Sequence, residues 1–142
     1  MIDFSFDFSA LSAKLDKITE AAEKSTRAAA QSGAQVFYAE AKQRAPVSSH
    51  EHSTKGKKHT FQPGNLKNAI YQAFSEKESG ATKATYRISW NKKRAFYGQF
   101  VEYGTSKMLA QPFLRPAYDA KLAEAVQAVR SRMADEVKRA LK

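Results

Sequence analysis

Over the first eight residues apolar and polar side chains alternate: Phe4, Phe6 and Phe8 are separated by Ser5 and Asp7. A period of two predicts a short strand or an extended arm with three rings on one side. Such a row of rings needs cover, from its own domain or from a neighbouring subunit. From Ser9 onward the period lengthens, and Leu11, Leu15, Ile18, Ala22, Ala29 and Val36 recur at spacings of three, four and seven. Alanine, the best helix former, is abundant in this stretch. The pattern predicts one helix with Ser9 as its N-cap, running to about Arg44. Ala45-Pro46 ends it, because proline disfavours helical geometry in the residue before it. A helix of that size is about 50 Å long, more than a small domain covers, so part of it should project or lie against another copy. The small residues Ala28, Ala29, Ala30, Ser32, Gly33 and Ala34 would let a partner helix come close.

Periodicity then stops. Residues 47–64 are rich in Ser, His, Lys, Gly and Thr, and predict a mobile basic loop carrying Lys55, Lys57 and Lys58 with His50, His52 and His59. Pro63-Gly64-Asn65 is turn chemistry, with Asn65 placed to cap a short helix through Leu66, Ala69 and Ile70. Alternation returns in residues 71–78, which predict a strand, and is clearest from Ala84 to Trp90, where Tyr86, Ile88 and Trp90 share a face. Asn91-Lys92-Lys93-Arg94 reads as a basic turn. Residues 95–103 read as a third strand or a short aromatic helix, since Tyr97, Phe100, Val101 and Tyr103 fit neither period cleanly, and Gly104-Thr105 ends them. After Pro112 and Pro116 a last helix begins, with Leu122, Val126, Val129, Met133, Val137 and Leu141 as its buried face. The whole predicts one α+β domain over residues 1–142: a long N-terminal helix, a short helix, a small antiparallel meander, and a C-terminal helix packed on the sheet.

Composition narrows the function classes. There is no cysteine, which excludes disulfides, thiolate catalysis and cysteine-based zinc sites. No stretch approaches the ~20 apolar residues of a membrane span, and no basic segment precedes an apolar run at the N-terminus, so neither a membrane partner nor a secretory leader is expected. The net charge of +10 is uneven: residues 1–40 sum to −2 and residues 41–142 to +12. The positive field therefore belongs to the loop and everything after it, and favours polyanions or an acidic protein.

Catalytic patterns do not assemble. His50-Glu51-His52 and His59 have the right ligand types for zinc but lack the spacing of a metal-binding helix. Ser48, Ser49 and Ser53 lie among those histidines without a nucleophile elbow or an orienting third group. No glycine-rich phosphate cradle is present. No catalytic residue, metal or cofactor is expected. Lys55, Lys57, Lys58, Lys92, Lys93 and Arg94, with Arg130, Arg132, Lys138 and Arg139 on the last helix, could meet backbone phosphates, and Phe96 and Tyr97 could stack on bases.

Three segments carry a resemblance to a known family. They are Ala39-Glu40-Ala41-Lys42-Gln43-Arg44-Ala45-Pro46-Val47, then Gly64-Asn65-Leu66-Lys67-Asn68-Ala69-Ile70, and most specifically Tyr97-Gly98-Gln99-Phe100-Val101-Glu102-Tyr103-Gly104-Thr105-Ser106-Lys107-Met108 with Gln111-Pro112-Phe113-Leu114-Arg115-Pro116. Together they resemble the neck proteins of lambda-like long-tailed bacteriophages, known as tail-completion, head–tail joining or minor tail components. In that family the proline ending the first helix is usually followed almost at once by a short Asp/Thr-Gly stretch; here residues 48–62 look like an insertion.

The resemblance implies a non-enzymatic structural protein of the virion, assembled in the host cytoplasm. It would join head and tail as a homo-oligomeric ring docked on connector and tail-tube proteins, with transient non-specific contact to genomic DNA. A ring needs two different patches per subunit. The candidates are Phe4, Phe6 and Phe8, and Tyr97, Phe100, Glu102, Tyr103, Lys107, Met108, Phe113 and Arg115, with Arg115 placed to pair with Glu102 within or between chains. Lys55, Lys57, Lys58, Lys92, Lys93 and Arg94 are the DNA-facing candidates. The alternative class is a small basic protein that binds nucleic acid without sequence preference; a toxin-like nuclease is a weaker third.

Overall fold

A computed structural model describes residues 1–56 and 58–142; Lys57, one of the DNA-facing candidates, lies outside the described residues. Residues 1–8 are irregular, and helix α1 (Ser9–Arg44) follows. Its N-cap is Phe8, one residue earlier than predicted, because Asp7 Oδ1 accepts the Ser9 N–H at 2.8 Å. The helix ends as proline requires, with Ala45 in extended geometry (ψ 124°) before Pro46.

The stretch read as an unstructured loop contains a hairpin, β1 (His52–Ser53) paired antiparallel with β2 (Thr60–Phe61). The pairing register, His52 opposite Phe61, brings those rings to 5.4 Å, an apolar contact that polar composition concealed. Helix α2 (Asn65–Ala69) runs directly into β3 (Ile70–Phe74). The predicted strand over 71–78 stops at Phe74, and Glu76–Glu78 form a single 3-10 turn. Strand β4 (Tyr86–Trp90) pairs antiparallel with β3, setting Ile70 opposite Trp90, Gln72 opposite Ile88 and Phe74 opposite Tyr86. The undecided aromatic segment is a helix, α3 (Gly98–Tyr103), so the sheet is a two-stranded ribbon. Helix α4 (Leu114–Leu141) completes the α+β fold; Pro116 lies in its first turn, where a missing N–H breaks no hydrogen bond.

Helices α1 and α4 pair antiparallel. Ser25 meets Met133, Ser32 meets Ala128 and Phe37 stacks on Tyr118. The small residues of α1 find their partner helix inside the same chain: Ser25, Ala29, Gly33, Ala34 and Ala41 are buried, facing buried Ala117 and Ala125 of α4. A Cβ on Gly33 would lie 2.6 Å from Val129 Cγ2 and 3.3 Å from the Ala125 carbonyl, so only glycine permits this approach. Close axes turn the larger side chains to the flanks. Leu122 and Val126, expected in the buried face, are therefore exposed along with Tyr118, forming a stripe at a spacing of four.

The ribbon lies on α1, where Gln72 Nε2 donates to Gln35 Oε1 at 2.7 Å and the Arg27 guanidinium sits 4.1 Å from the Phe74 ring centre. The main core forms where α1 ends and α2, the ribbon, α3 and the start of α4 converge. It consists of Ala45, Leu66, Ala69, Ile70, Trp90, Ala95 and Phe113. Among the described residues, no helix is long and apolar enough to cross a membrane.

Candidate functional site

The β1–β2 hairpin and α3 enclose a cleft of about 720 Å³ at the C-terminal end of α1. Its base is set by one side chain. Asn65, expected as a cap, leaves that position to Gly64 (φ 82°) and instead donates to the Arg94 carbonyl at 2.9 Å and the Tyr97 hydroxyl at 3.0 Å. Its own N–H donates to the Gln62 carbonyl at 3.1 Å. Asn65 thus ties the end of the hairpin to the basic turn and to α3. Above it the rings interlock edge to face: Phe61 lies 5.0 Å from Tyr97 and 5.8 Å from Phe96, and His52 lies 5.2 Å from Tyr97. The segment set apart as an insertion, residues 48–62, therefore builds one wall of the cleft.

The opposite wall is α3 and the loop after it. Gly104 closes α3 with φ 75°, donating to the Phe100 carbonyl at 2.8 Å. A Cβ there would sit 2.8 Å from the Ala110 nitrogen. Thr105 bridges to Met108, and Gln111 N–H donates to the Val101 carbonyl at 2.7 Å, so the loop is a tight turn. It projects Lys107 and leaves Tyr103 75% and Leu109 89% exposed. Phe96, Phe100, Met108 and Val47 are exposed beside them. Val47, Phe96, Phe100 and Met108 line the cleft and form an apolar rim of the kind that marks a contact surface. Leu109 escaped sequence reasoning, because a lone leucine in a loop has no periodic partner to single it out.

Two of the expected contact residues belong to the interior. Glu102 is 7% exposed. Its Oε2 accepts the N–H groups of Phe113 and Leu114 at 2.8 and 3.1 Å, and its Oε1 accepts that of Arg115 at 3.1 Å. The carboxylate closes the N-terminus of α4 from eleven residues upstream, and complements the helix dipole. It is engaged by backbone, so no side-chain pair with Arg115 forms within the chain, and Arg115 is exposed. Phe113 is fully buried 5.8 Å from Trp90 and is a core residue. Tyr97 is half-buried at the cleft floor.

Phe4, Phe6 and Phe8 are exposed, their rings 5.9 and 5.0 Å apart in sequence order, packed on one another. The Ser9 backbone N–H, then its hydroxyl, holds the Asp7 carboxyl below its ordinary range.

Lys92, Lys93 and Arg94 are exposed on a turn pinned by Asn91 Oδ1, which accepts the Lys93 and Arg94 N–H groups at 2.9 and 3.3 Å. Lys55 and Lys58 are exposed at the hairpin tip. The histidines do not gather around a common point. His59 stacks on Phe61 and His52 lies tilted against it, while His50 lies 2.9 Å from its neighbour Ser49, and Glu51 accepts from Gln62 instead. Among the described residues no group of three or more His, Asp or Glu side chains is placed to hold a metal.

A family model described as "HK97-gp10-like: Bacteriophage HK97-gp10, putative tail-component" matches residues 9–104. The match takes in α1, the hairpin, the ribbon and α3, and stops short of the Gln111–Pro116 segment. No curated protein and no solved structure matches the chain.

Proposed function

We propose a function from one premise: the chain belongs to the HK97-gp10-like family of bacteriophage tail components. A tail component is part of the virion and acts through contact with other phage structural proteins. Our finer reading is a neck or tail-completion protein, without enzymatic activity. It joins head to tail by assembling into a ring in the host cytoplasm and docking on connector and tail-tube proteins.

The observation that carries this reading is the family match, which covers two thirds of the chain. The distribution of apolar surface supports it. The Phe4–Phe8 arm and the first turns of α1, with Leu11 and Leu15 exposed, lie at one end of the long helices. The cleft rim lies at the other end, and the Tyr118–Val126 stripe runs between them. Several separate patches on one small chain suit heterologous contacts between copies, the kind that close rings.

Electron microscopy of particles made without this protein tests the reading. Filled heads and separate tails are the expected outcome; intact particles would overturn it. The second reading, non-specific nucleic-acid binding, is favoured by the exposed turn Lys92-Lys93-Arg94 beside the exposed Phe96 ring.

A further inference from the structure

The cleft and the N-terminal arm match in apolar character and are opposite in charge, yet one chain cannot bring its own two together. We propose that the Phe4–Phe8 arm of one copy seats in the aromatic cleft of the next, and that this contact propagates the assembly. The inference rests on the reading above that copies of the chain associate, and names the surfaces that do so.

Reach selects the occupant. The arm precedes the first turn of α1, whereas the cleft is built beside Pro46 and Val47, just past its last turn. The 36 residues of α1 place these points about 54 Å apart. Eight residues of extended chain span at most about 29 Å. An arm cannot fold back to its own cleft, so a second copy must supply it. The contact is then head-to-tail, which leads to a ring where the rotation closes.

Chemistry agrees with reach. The arm offers three exposed rings on consecutive alternate residues, and the cleft offers Phe61, Phe96, Phe100 and Met108 as apolar walls. At about 720 Å³ the cleft lies in the range of sites that enclose drug-sized molecules, enough for ring-sized side chains. Asp3 and Asp7 are the charged side chains of residues 1–8, and both are acidic. The cleft is bordered by cations: Lys107 lies between the lining residues Thr105 and Met108, and Arg94 precedes Phe96 by two. Lys55 and Lys58 sit on the hairpin that forms its wall. Glu51 is the one carboxylate in residues 46–62, and it is engaged by Gln62. An arm whose apolar rings are flanked by carboxylates gains steering as well as burial on entering a basic-rimmed aromatic cleft.

The absence of cysteine makes the test direct. Full-length Phe6→Cys is mixed with full-length Phe100→Cys under mild oxidation, and heterodisulfide formation is followed by non-reducing electrophoresis and mass spectrometry. The comparison is Phe6→Cys with Thr82→Cys, an exposed position beside Lys83 and outside the cleft. We expect the cleft pair to form at least about tenfold faster, since docking raises the local thiol concentration. Met108→Cys, on the loop side of the cleft, should match Phe100→Cys and stands in for it if that variant does not fold. Equal rates for cleft and control positions would overturn arm docking. That outcome leaves the tail-component reading standing, because its own failure shows separately, as intact particles assembled without the protein.

Discussion

The first turn of α4 presents three backbone N–H groups with no carbonyl of their own to bond, and Phe113, at the N-cap position, has no side-chain acceptor to offer. Glu102 supplies both oxygens from α3 and takes all three. Glutamine in its place keeps one acceptor oxygen but turns an NH2 group toward the remaining donors. Glu102→Gln should therefore lower stability by about 1–3 kcal/mol, measured by chemical denaturation. Arg115→Ala should change it by less than about 0.5 kcal/mol, because the exposed Arg115 side chain has no ion-pair partner among the described residues. A drop for Arg115→Ala as large as that for Glu102→Gln would contradict this division of roles. Sequence reasoning had singled out both residues and paired them with each other. Their spacing of thirteen left the geometry open, since nothing local says whether a carboxylate answers a guanidinium or the backbone N–H groups beside it.

The pairing of α1 with α4 turns on Gly33. In a helix interior glycine is about 1 kcal/mol worse than alanine, so Gly33→Ala would ordinarily stabilise the protein. Here the new methyl meets Val129 Cγ2 and the Ala125 carbonyl. Overpacking of this kind costs about 1–3 kcal/mol, so we expect a net loss of stability and a lower Tm; a rise in Tm would mean the helices slide apart without penalty. The limits of α1 were readable because period, alanine content and the closing proline agree over ten turns. The same holds for the alternation around Ile88, and for the run of small residues that foretold a close helix partner. What periodicity could not say is which side of α4 faces inward. It assumes that the largest apolar side chains are buried, whereas α1 presents a small-residue groove and takes in Ala117 and Ala125. The hairpin escaped for a related reason: two paired residues on each side are too few to form a period. The third segment of strand-like composition, residues 95–103, is a helix because β4 already hands the chain over at Asn91, whose carbonyl accepts the Arg94 and Ala95 N–H groups.

The positive charge of residues 41–142 is large, but it does not make one continuous track. Lys92, Lys93 and Arg94 crown the turn beside the cleft. Arg132 and Arg139 lie toward the far end of α4, where both approach Glu136, at 3.1 and 3.2 Å. Arg132 lies about 27 Å along α4 from Leu114, the end of the helix nearer the cleft, and Arg139 lies farther still. A single chain thus offers a phosphate backbone few simultaneous contacts, while a ring would bring many copies of the same turn together. Each phosphate contact adds about 0.9 to the slope of log affinity against log salt. Titration of duplex DNA with the free protein at several salt concentrations should therefore give weak binding with a shallow slope, on the order of three or fewer contacts. Replacing Lys92, Lys93 and Arg94 together by alanine should remove most of that slope. Tight binding with a slope equivalent to six or more contacts would instead require a continuous basic surface on one chain, and would favour the nucleic-acid-binding reading over assembly into a tail.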